Sequence, residues 1–218
     1  MREPWGRPYQ FYLFDLDGTL VDTAPDLSAS LNFALEQDGL DCVSEALTRH
    51  WVGHGSKVLI SEALAHLKVT RDPEPLLKNF IEYYQNNIAV NSAPYPGVTD
   101  TLKALVDRGA KLGVVTNKLT TLTMLLLENL QLDHYFQTVV CGDSTKNPKP
   151  SPEPVFLAME KLDASTPETL FVGDSITDVE AARNAGLVVV CMRDGYNHGV
   201  DVSTLNCDGV IDSFDQLL

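Results

Sequence analysis

The chain has 218 residues, which is enough for one sizeable hydrophobic core together with a small accessory domain. Its 16 basic and 30 acidic residues give a formal net charge of −14, and this disfavours nucleic acid and anionic membranes as partners, because both would repel the protein. No apolar segment approaches the roughly 20 residues that a membrane-spanning helix needs. We therefore expect a globular protein that draws any anionic ligand into a local positive site.

The first apolar segment, residues 12–14, runs into the polar residues 15–19. This pattern is typical of a buried strand that ends in a turn. Apolar residues then recur with helical spacing between Pro25 and Val90, in stripes over residues 27–35, 58–67 and 76–84. The sequence therefore predicts a helical insert directly after the first strand.

After Pro94-Tyr95-Pro96-Gly97 the pattern changes to an alternation of helices and strands. We predict helices over residues 98–108, 119–130, 152–162 and 176–185, and strands over residues 111–115, 138–141, 170–172 and 188–191. This alternation predicts an α/β fold with a parallel sheet covered on both faces and with ligands bound at the carboxyl ends of the strands. The predicted core comprises residues 1–21 and 94–218, and the predicted insert comprises residues 22–93.

Polar residues cluster where the predicted strands end, and such ends meet at one edge of a parallel sheet. Any single aspartate there could equally cap a helix or fill a turn. Three aspartates in one crevice would repel each other unless a cation neutralised them, and carboxylate oxygens suit Mg²⁺. The joint occurrence of Asp15, Asp17 and Asp174 therefore favours a magnesium site.

These residues also carry a resemblance to a known family. Residues 15–22, with the sequence DLDGTLVD, resemble the first motif of the haloacid dehalogenase superfamily, and Thr116, Lys149 and residues 173–178 match its next three motifs in order. The resemblance covers essentially the whole chain, and its layout is similar to that of phosphoglycolate phosphatases. It implies a Rossmann-like core and, over the insert, a mobile helical lid of the kind called a C1 cap.

The resemblance also implies an activity, the Mg²⁺-dependent hydrolysis of a small phosphomonoester, with 2-phosphoglycolate as the first candidate substrate. Another sugar phosphate or a nucleotide monophosphate is the alternative in the same class. A mutase similar to β-phosphoglucomutase and a non-catalytic binding module are further alternatives. The presence of both Asp17 and Lys149 argues against the last, since a binding module needs no turnover.

Within this resemblance, Asp15 is the nucleophile that forms an aspartyl phosphate, and Asp17 protonates the leaving group and then activates water. Thr116 and Lys149 stabilise the transferring phosphoryl group and complete the catalytic set. The implied metal ligands are Asp15, Asp17, Asp174 and Asp178. For Asp178, an ordinary acid in the first turn of a helix is the alternative interpretation.

Substrate contacts are expected from Thr116, Asn117 and Lys149 in the core and from His54 and Lys57 in the insert. The latter two lie in the segment Gly53-His54-Gly55-Ser56-Lys57, which could present backbone amides and a cation to an anionic substrate, or could be only a turn. Arg193 and His198 in a glycine-rich segment after the last predicted strand could also face the crevice.

The cysteines and the start of the chain bear on the cellular location. The four cysteines are scattered without metal-ligand or paired spacing, and the chain starts without a basic segment followed by an apolar one. We therefore expect reduced thiols, a cytoplasmic location and a monomer or weak homodimer.

Overall fold

The computed structural model describes residues 5–218. The strands are β1 (Phe11–Phe14), β2 (Val21–Asp22), β3 (Ala93–Pro94), β4 (Lys111–Val115), β5 (Thr138–Val140), β6 (Thr169–Gly173), β7 (Val188–Met192) and β8 (Gly209–Ile211). The helices are α1 (Ala24–Gln37), α2 (Glu45–Trp51), α3 (Ser56–His66), α4 (Glu74–Asn86), α5 (Val98–Asp107), α6 (Thr120–Asn129), α7 (Glu153–Leu162) and α8 (Ile176–Asn184). Short 3₁₀ helices cover Asp133–Tyr135, Thr166–Glu168, Val202–Thr204 and Phe214–Leu217.

A parallel sheet with the strand order β5-β4-β1-β6-β7-β8 forms the centre of the molecule. Along β1, Tyr12 and Phe14 enter the hydrophobic core on one face of the sheet, and Phe11 and Leu13 enter the core on the other. Burial on both faces explains why this strand is a continuous apolar run rather than an alternating one. Helices α5 and α6 pack on the Phe14 side and α7 and α8 on the Leu13 side, so the predicted α/β fold class is confirmed.

The helical insert, α1 to α4, leaves and rejoins the core through two adjacent strands. In this antiparallel pair Val21 lies opposite Pro94, and Asp22 lies opposite Ala93. The buried carboxylate of Asp26 in α1 accepts hydrogen bonds from the backbone N–H groups of residues 91 and 92, at 2.7–3.0 Å. The start of the insert is thereby bonded to the segment that leads out of it.

Helix α2 and strand β8 are among the elements that were not predicted from the sequence. Helix α2 buries only Thr48, so it has no apolar stripe that periodicity could reveal. Strand β8 has three residues and begins with a glycine at the sheet edge, which gives it little strand character. Within residues 5–218, none of the helices combines the length and the apolarity needed to cross a membrane.

Candidate active site

Three aspartates meet where β1 and β6 end. Asp15 directly follows β1, and Asp174 directly follows β6, the strand paired with β1 in parallel. Asp178 reaches the same place from the first turn of α8. All three side chains are buried, and one carboxylate oxygen from each lies within 4.8 Å of the others. We call Asp15, Asp174 and Asp178 the carboxylate group.

The local structure of α8 fixes the orientation of Asp178. Its Oδ2 accepts hydrogen bonds from the backbone N–H groups of Asp174 and Ser175, at 3.2 and 3.1 Å, and from the Ser175 hydroxyl at 2.7 Å. This is a capping box, in which the side chains of residue 175 and residue 178 satisfy free donors at the start of the helix. The other oxygen of Asp178 is left to face the site.

Lys149 is the cation of the carboxylate group. Its Nζ lies 2.7 Å from both Asp15 Oδ1 and Asp178 Oδ1, and its side chain is only 2% exposed. Burial alone would lower the pKa of Lys149, but Asp15 and Asp178 raise it well above its ordinary value. Lys149 is therefore a fixed positive charge between the two aspartates.

One ammonium does not balance three carboxylates. Burial raises the pKa of Asp15 to about 7, an effect that Lys149 opposes and Asp178 reinforces. Burial, followed by repulsion from Asp178 and Asp15, also raises the pKa of Asp174. The arrangement favours a further cation, and three oxygen donors of this kind suit a hard divalent ion such as Mg²⁺. Among the described residues, the carboxylate group is the cluster able to hold one.

Asp17 does not belong to the cluster of Asp15, Asp174 and Asp178, and its carboxylate has a different partner. Its carboxylate accepts hydrogen bonds from Lys118 Nζ at 3.0 and 3.3 Å, and that ammonium also donates to the hydroxyl of Tyr84 in α4 at 3.0 Å. The expectation that Asp17 provides a carboxylate to the metal therefore does not match its position. Lys118 and Tyr84 were not among the candidate site residues, although Lys118 directly follows the motif residues Thr116 and Asn117.

Thr116 and Asn117 follow β4, next to β1 in the sheet. The Thr116 hydroxyl accepts a hydrogen bond from the backbone N–H of residue 118 at 3.2 Å, so its own hydrogen is available to a ligand. The side-chain amide of Asn117 donates to the carbonyl oxygens of Gly53 and Lys149, both at 3.0 Å. Asn117 thereby joins the insert to the loop that carries Lys149.

A cavity lies between these core residues and the insert. It is lined from the core by Asp15, Asp17 and residues 116–118, and from the insert by Leu27, Val52, Gly53, Gly55, Ser56 and Leu59. Its volume is about 30 Å³. The insert therefore covers the ends of β1 and β4.

The structure does not bring Lys57 to this cavity. Its ammonium forms an ion pair with Glu74, and its side chain is 63% exposed. The ring of His54 lies 4.9 Å from the ring of His198, whose Nδ1 lies 2.7 Å from the carbonyl oxygen of residue 50. Arg193 pairs with Asp212 on the surface. The segment after β7 thus contacts the insert through His198 and not through Arg193.

Tyr196 connects the carboxylate group to the insert. Its backbone N–H donates to Asp174, and its hydroxyl donates to Asp22 in β2 and accepts from the backbone N–H of residue 24. Asp22 in turn forms two hydrogen bonds of 2.9 Å with the guanidinium of Arg49 in α2. A continuous series of contacts therefore runs from Asp174 to the first strand and the second helix of the insert region.

Comparison with known proteins places this site in a family. The sequence profile of the haloacid dehalogenase-like hydrolases matches residues 12–192. The phosphoglycolate phosphatase of Nitrosococcus oceani is 39% identical over 208 residues, covering 94% of this chain and 92% of that protein. The phosphoglycolate phosphatase of Agrobacterium fabrum is 42% identical over 206 residues, covering 93% and 88%.

The fold agrees with these sequence matches. The crystal structure of a predicted phosphoglycolate phosphatase from Haemophilus somnus 129pt superposes with a TM-score of 0.90 at 35% sequence identity, and the match covers 94% of this chain and 95% of that one. The family indicated by the motifs is therefore confirmed. The chain belongs to the haloacid dehalogenase-like hydrolases.

Proposed function

We propose that the protein is a Mg²⁺-dependent phosphatase that hydrolyses 2-phosphoglycolate to glycolate and phosphate. The observation that carries the proposal is the buried ion pair of Lys149 with Asp15, at 2.7 Å, beside Asp174 and Asp178 and below a cavity. The substrate is suggested by the names of the relatives in Nitrosococcus oceani and Agrobacterium fabrum.

In the first half-reaction a carboxylate oxygen of Asp15 forms a bond to phosphorus as the ester P–O bond breaks. The leaving oxygen takes a proton from Asp17, which lines the same cavity. Water then attacks the aspartyl phosphate, Asp17 takes up a proton from that water, and Asp15 is released as a free carboxylate. Asp15 and Asp17 fit these roles because both reach the cavity from the same turn after β1.

Two further residues stabilise the transferring phosphoryl group in this proposal. Lys149 provides a permanent positive charge next to the attacking oxygen, and Thr116, which lines the cavity, provides a hydroxyl group. Fixed donors of this kind stabilise the charge that develops in the transition state. The Asn117 side chain supports the site indirectly, by holding the loop that contains Lys149.

Asp15 and Asp174 would hold Mg²⁺. Asp178 would orient Lys149 and lie at the edge of the metal site. Bound there, the ion supplies positive charge that offsets the repulsion between Asp15 and a phosphate dianion. The raised pKa values of Asp15 and Asp174 support this assignment, because a bound cation would offset the burial and the mutual repulsion that raise them.

The insert of residues 22–93 serves as a lid. Residues of the insert form part of the cavity wall, so movement of the insert would open or close the cavity around a substrate. The antiparallel pair of β2 and β3 is the place where the insert joins the core, and the hinge is assigned there. The exclusion of water by the closed lid favours transfer to Asp15 over direct hydrolysis.

The test is phosphate release by the purified protein with Mg²⁺ from a substrate panel. The panel contains 2-phosphoglycolate, glucose 6-phosphate, β-glucose 1-phosphate and AMP, and the control is the Asp15→Asn variant. We expect the highest kcat/KM with 2-phosphoglycolate and no turnover by Asp15→Asn. A higher kcat/KM with another ester would overturn the substrate assignment, and wild-type turnover by Asp15→Asn would overturn the mechanism.

A further inference from the structure

We propose that Lys118 selects substrates whose leaving group is negatively charged, by binding the carboxylate of that leaving group with its ammonium. This inference rests on the proposed phosphatase function and concerns a residue outside the motifs that indicated it. It makes Lys118 a specificity-determining residue, distinct from Lys149 at the phosphoryl end of the site.

The position of Lys118 marks the leaving-group side of the cavity. Its Nζ lies 3.0 Å from the carboxylate of Asp17, which has to contact the leaving oxygen in order to protonate it. In 2-phosphoglycolate only one methylene carbon separates this oxygen from the carboxylate. A substrate oxygen placed beside Asp17 therefore brings the substrate carboxylate next to Lys118.

The charge of the cavity lining supports the same conclusion. Among the described residues that line it, Lys118 carries the one positive charge, and the insert contributes apolar or uncharged residues such as Val52, Ser56 and Leu59. Lys149 is occupied by Asp15 and Asp178. A carboxylate taken out of water in this cavity needs a counterion, and Lys118 is the one within it.

The contacts of Lys118 hold its ammonium in place. Its Nζ lies 3.0 and 3.3 Å from the two carboxylate oxygens of Asp17 and 3.0 Å from the Tyr84 hydroxyl, so a substrate carboxylate would share the ammonium with Asp17. The Tyr84 ring centroid is 4.6 Å from Nζ, which adds a cation–π contact. Because Asp17 and Tyr84 raise the pKa of Lys118 despite its burial, the residue stays charged.

Tyr84 belongs to the insert, whereas Asp17 and Lys118 belong to the core. The cation is therefore assembled at the closed interface and is held by a residue of the lid. Closure of the insert over a substrate would place the Lys118 ammonium in a dry environment, where a charge-assisted hydrogen bond to a carboxylate is strong.

The experiment compares two substrates of the same size, 2-phosphoglycolate and 2-hydroxyethyl phosphate, in which a neutral hydroxymethyl group replaces the carboxylate. The variant is Lys118→Met, and the control is Lys103→Met, which removes an exposed lysine paired with Asp107 on α5. Any general damage to Asp17 affects both substrates alike and cancels in the ratio of their kcat/KM values.

We expect Lys118→Met to reduce the preference for 2-phosphoglycolate about 10- to 100-fold, as for the loss of one charge-assisted contact, and Lys103→Met to leave it unchanged. If Lys118→Met does not fold, Lys118→Gln, whose amide can still donate to Asp17, is expected to show the same loss of preference.

An equal fractional loss on both substrates, or an unchanged preference, would overturn the role of Lys118. A wild-type protein without activity on 2-phosphoglycolate would instead overturn the proposed function, so the two failures are distinguishable.

Discussion

Replacing Asp15 by asparagine should stabilise the metal-free protein at alkaline pH while it abolishes turnover. Burial raises the pKa of Asp15 from 3.8 to about 7 in the folded chain. As the pH rises from about 4, the unfolded chain releases this proton first, so folding loses stability until the folded-state pKa is passed near pH 7. The difference between the two pKa values corresponds to about 4 kcal/mol, and we expect Asp15→Asn to recover about 1–4 kcal/mol at pH 8.

The measurement is urea unfolding of both proteins in excess chelator at pH 4 and pH 8. The gain should be small at pH 4, because Asp15 is protonated in the folded chain and only about half ionised in the unfolded chain, and it should reach its full value at pH 8. Added Mg²⁺ should stabilise the wild type more than the variant, because it binds the ionised carboxylate. The exposed substitution Asp107→Asn is the control. If the gain in unfolding free energy is absent or does not depend on pH, the conclusion that ionisation of the buried Asp15 destabilises the folded protein is wrong.

Three further predictions concern the site and its supports. Lys149→Met should lower the free energy of unfolding by about 3–5 kcal/mol at pH 7, because it leaves buried carboxylates unpaired, and an unfolding midpoint equal to that of the wild type would contradict this. Asp26→Ala should lower the free energy of unfolding, measured in urea, by about 1–3 kcal/mol for each backbone N–H that loses its acceptor. A loss below about 0.5 kcal/mol, which is typical of a surface substitution, would show that those N–H groups find other acceptors. Chelation should abolish phosphate release and Mg²⁺ should restore it, with Ca²⁺ inhibiting, and full activity in excess chelator would remove the metal from the mechanism.

The sheet and the aspartates at its edge could be predicted because they depend on local patterns. Strands β1, β4 and β6 are short apolar runs that end in polar residues, and parallel strands bring such ends together. The proximity of Asp15 and Asp174 therefore follows from the strand pattern of the sequence. Helix α2 lacks a corresponding pattern. It packs against the core only through the partly buried Leu47 and Trp51, so its sequence contains no apolar stripe.

The direction of long side chains could not be predicted in the same way. Lys57 was expected at the cavity, yet it forms an ion pair with Glu74 at the start of α4. Lys118 turns inward because Asp17, 101 residues away, and Tyr84, 34 residues away, surround its ammonium. The direction of these side chains depends on packing between the insert and the core, and no pattern within one segment predicts it.

The central place of β1 in the sheet has a consequence for synthesis of the chain on the ribosome. This strand is made early, but its two neighbours, β4 and β6, begin only at Lys111 and Thr169. At typical elongation rates of 5–20 residues per second, the apolar residues 11–14 wait about 10–30 s before β6 is complete. Until then one edge of this apolar strand lacks its partner, so nascent-chain protection matters for this protein more than its modest size suggests.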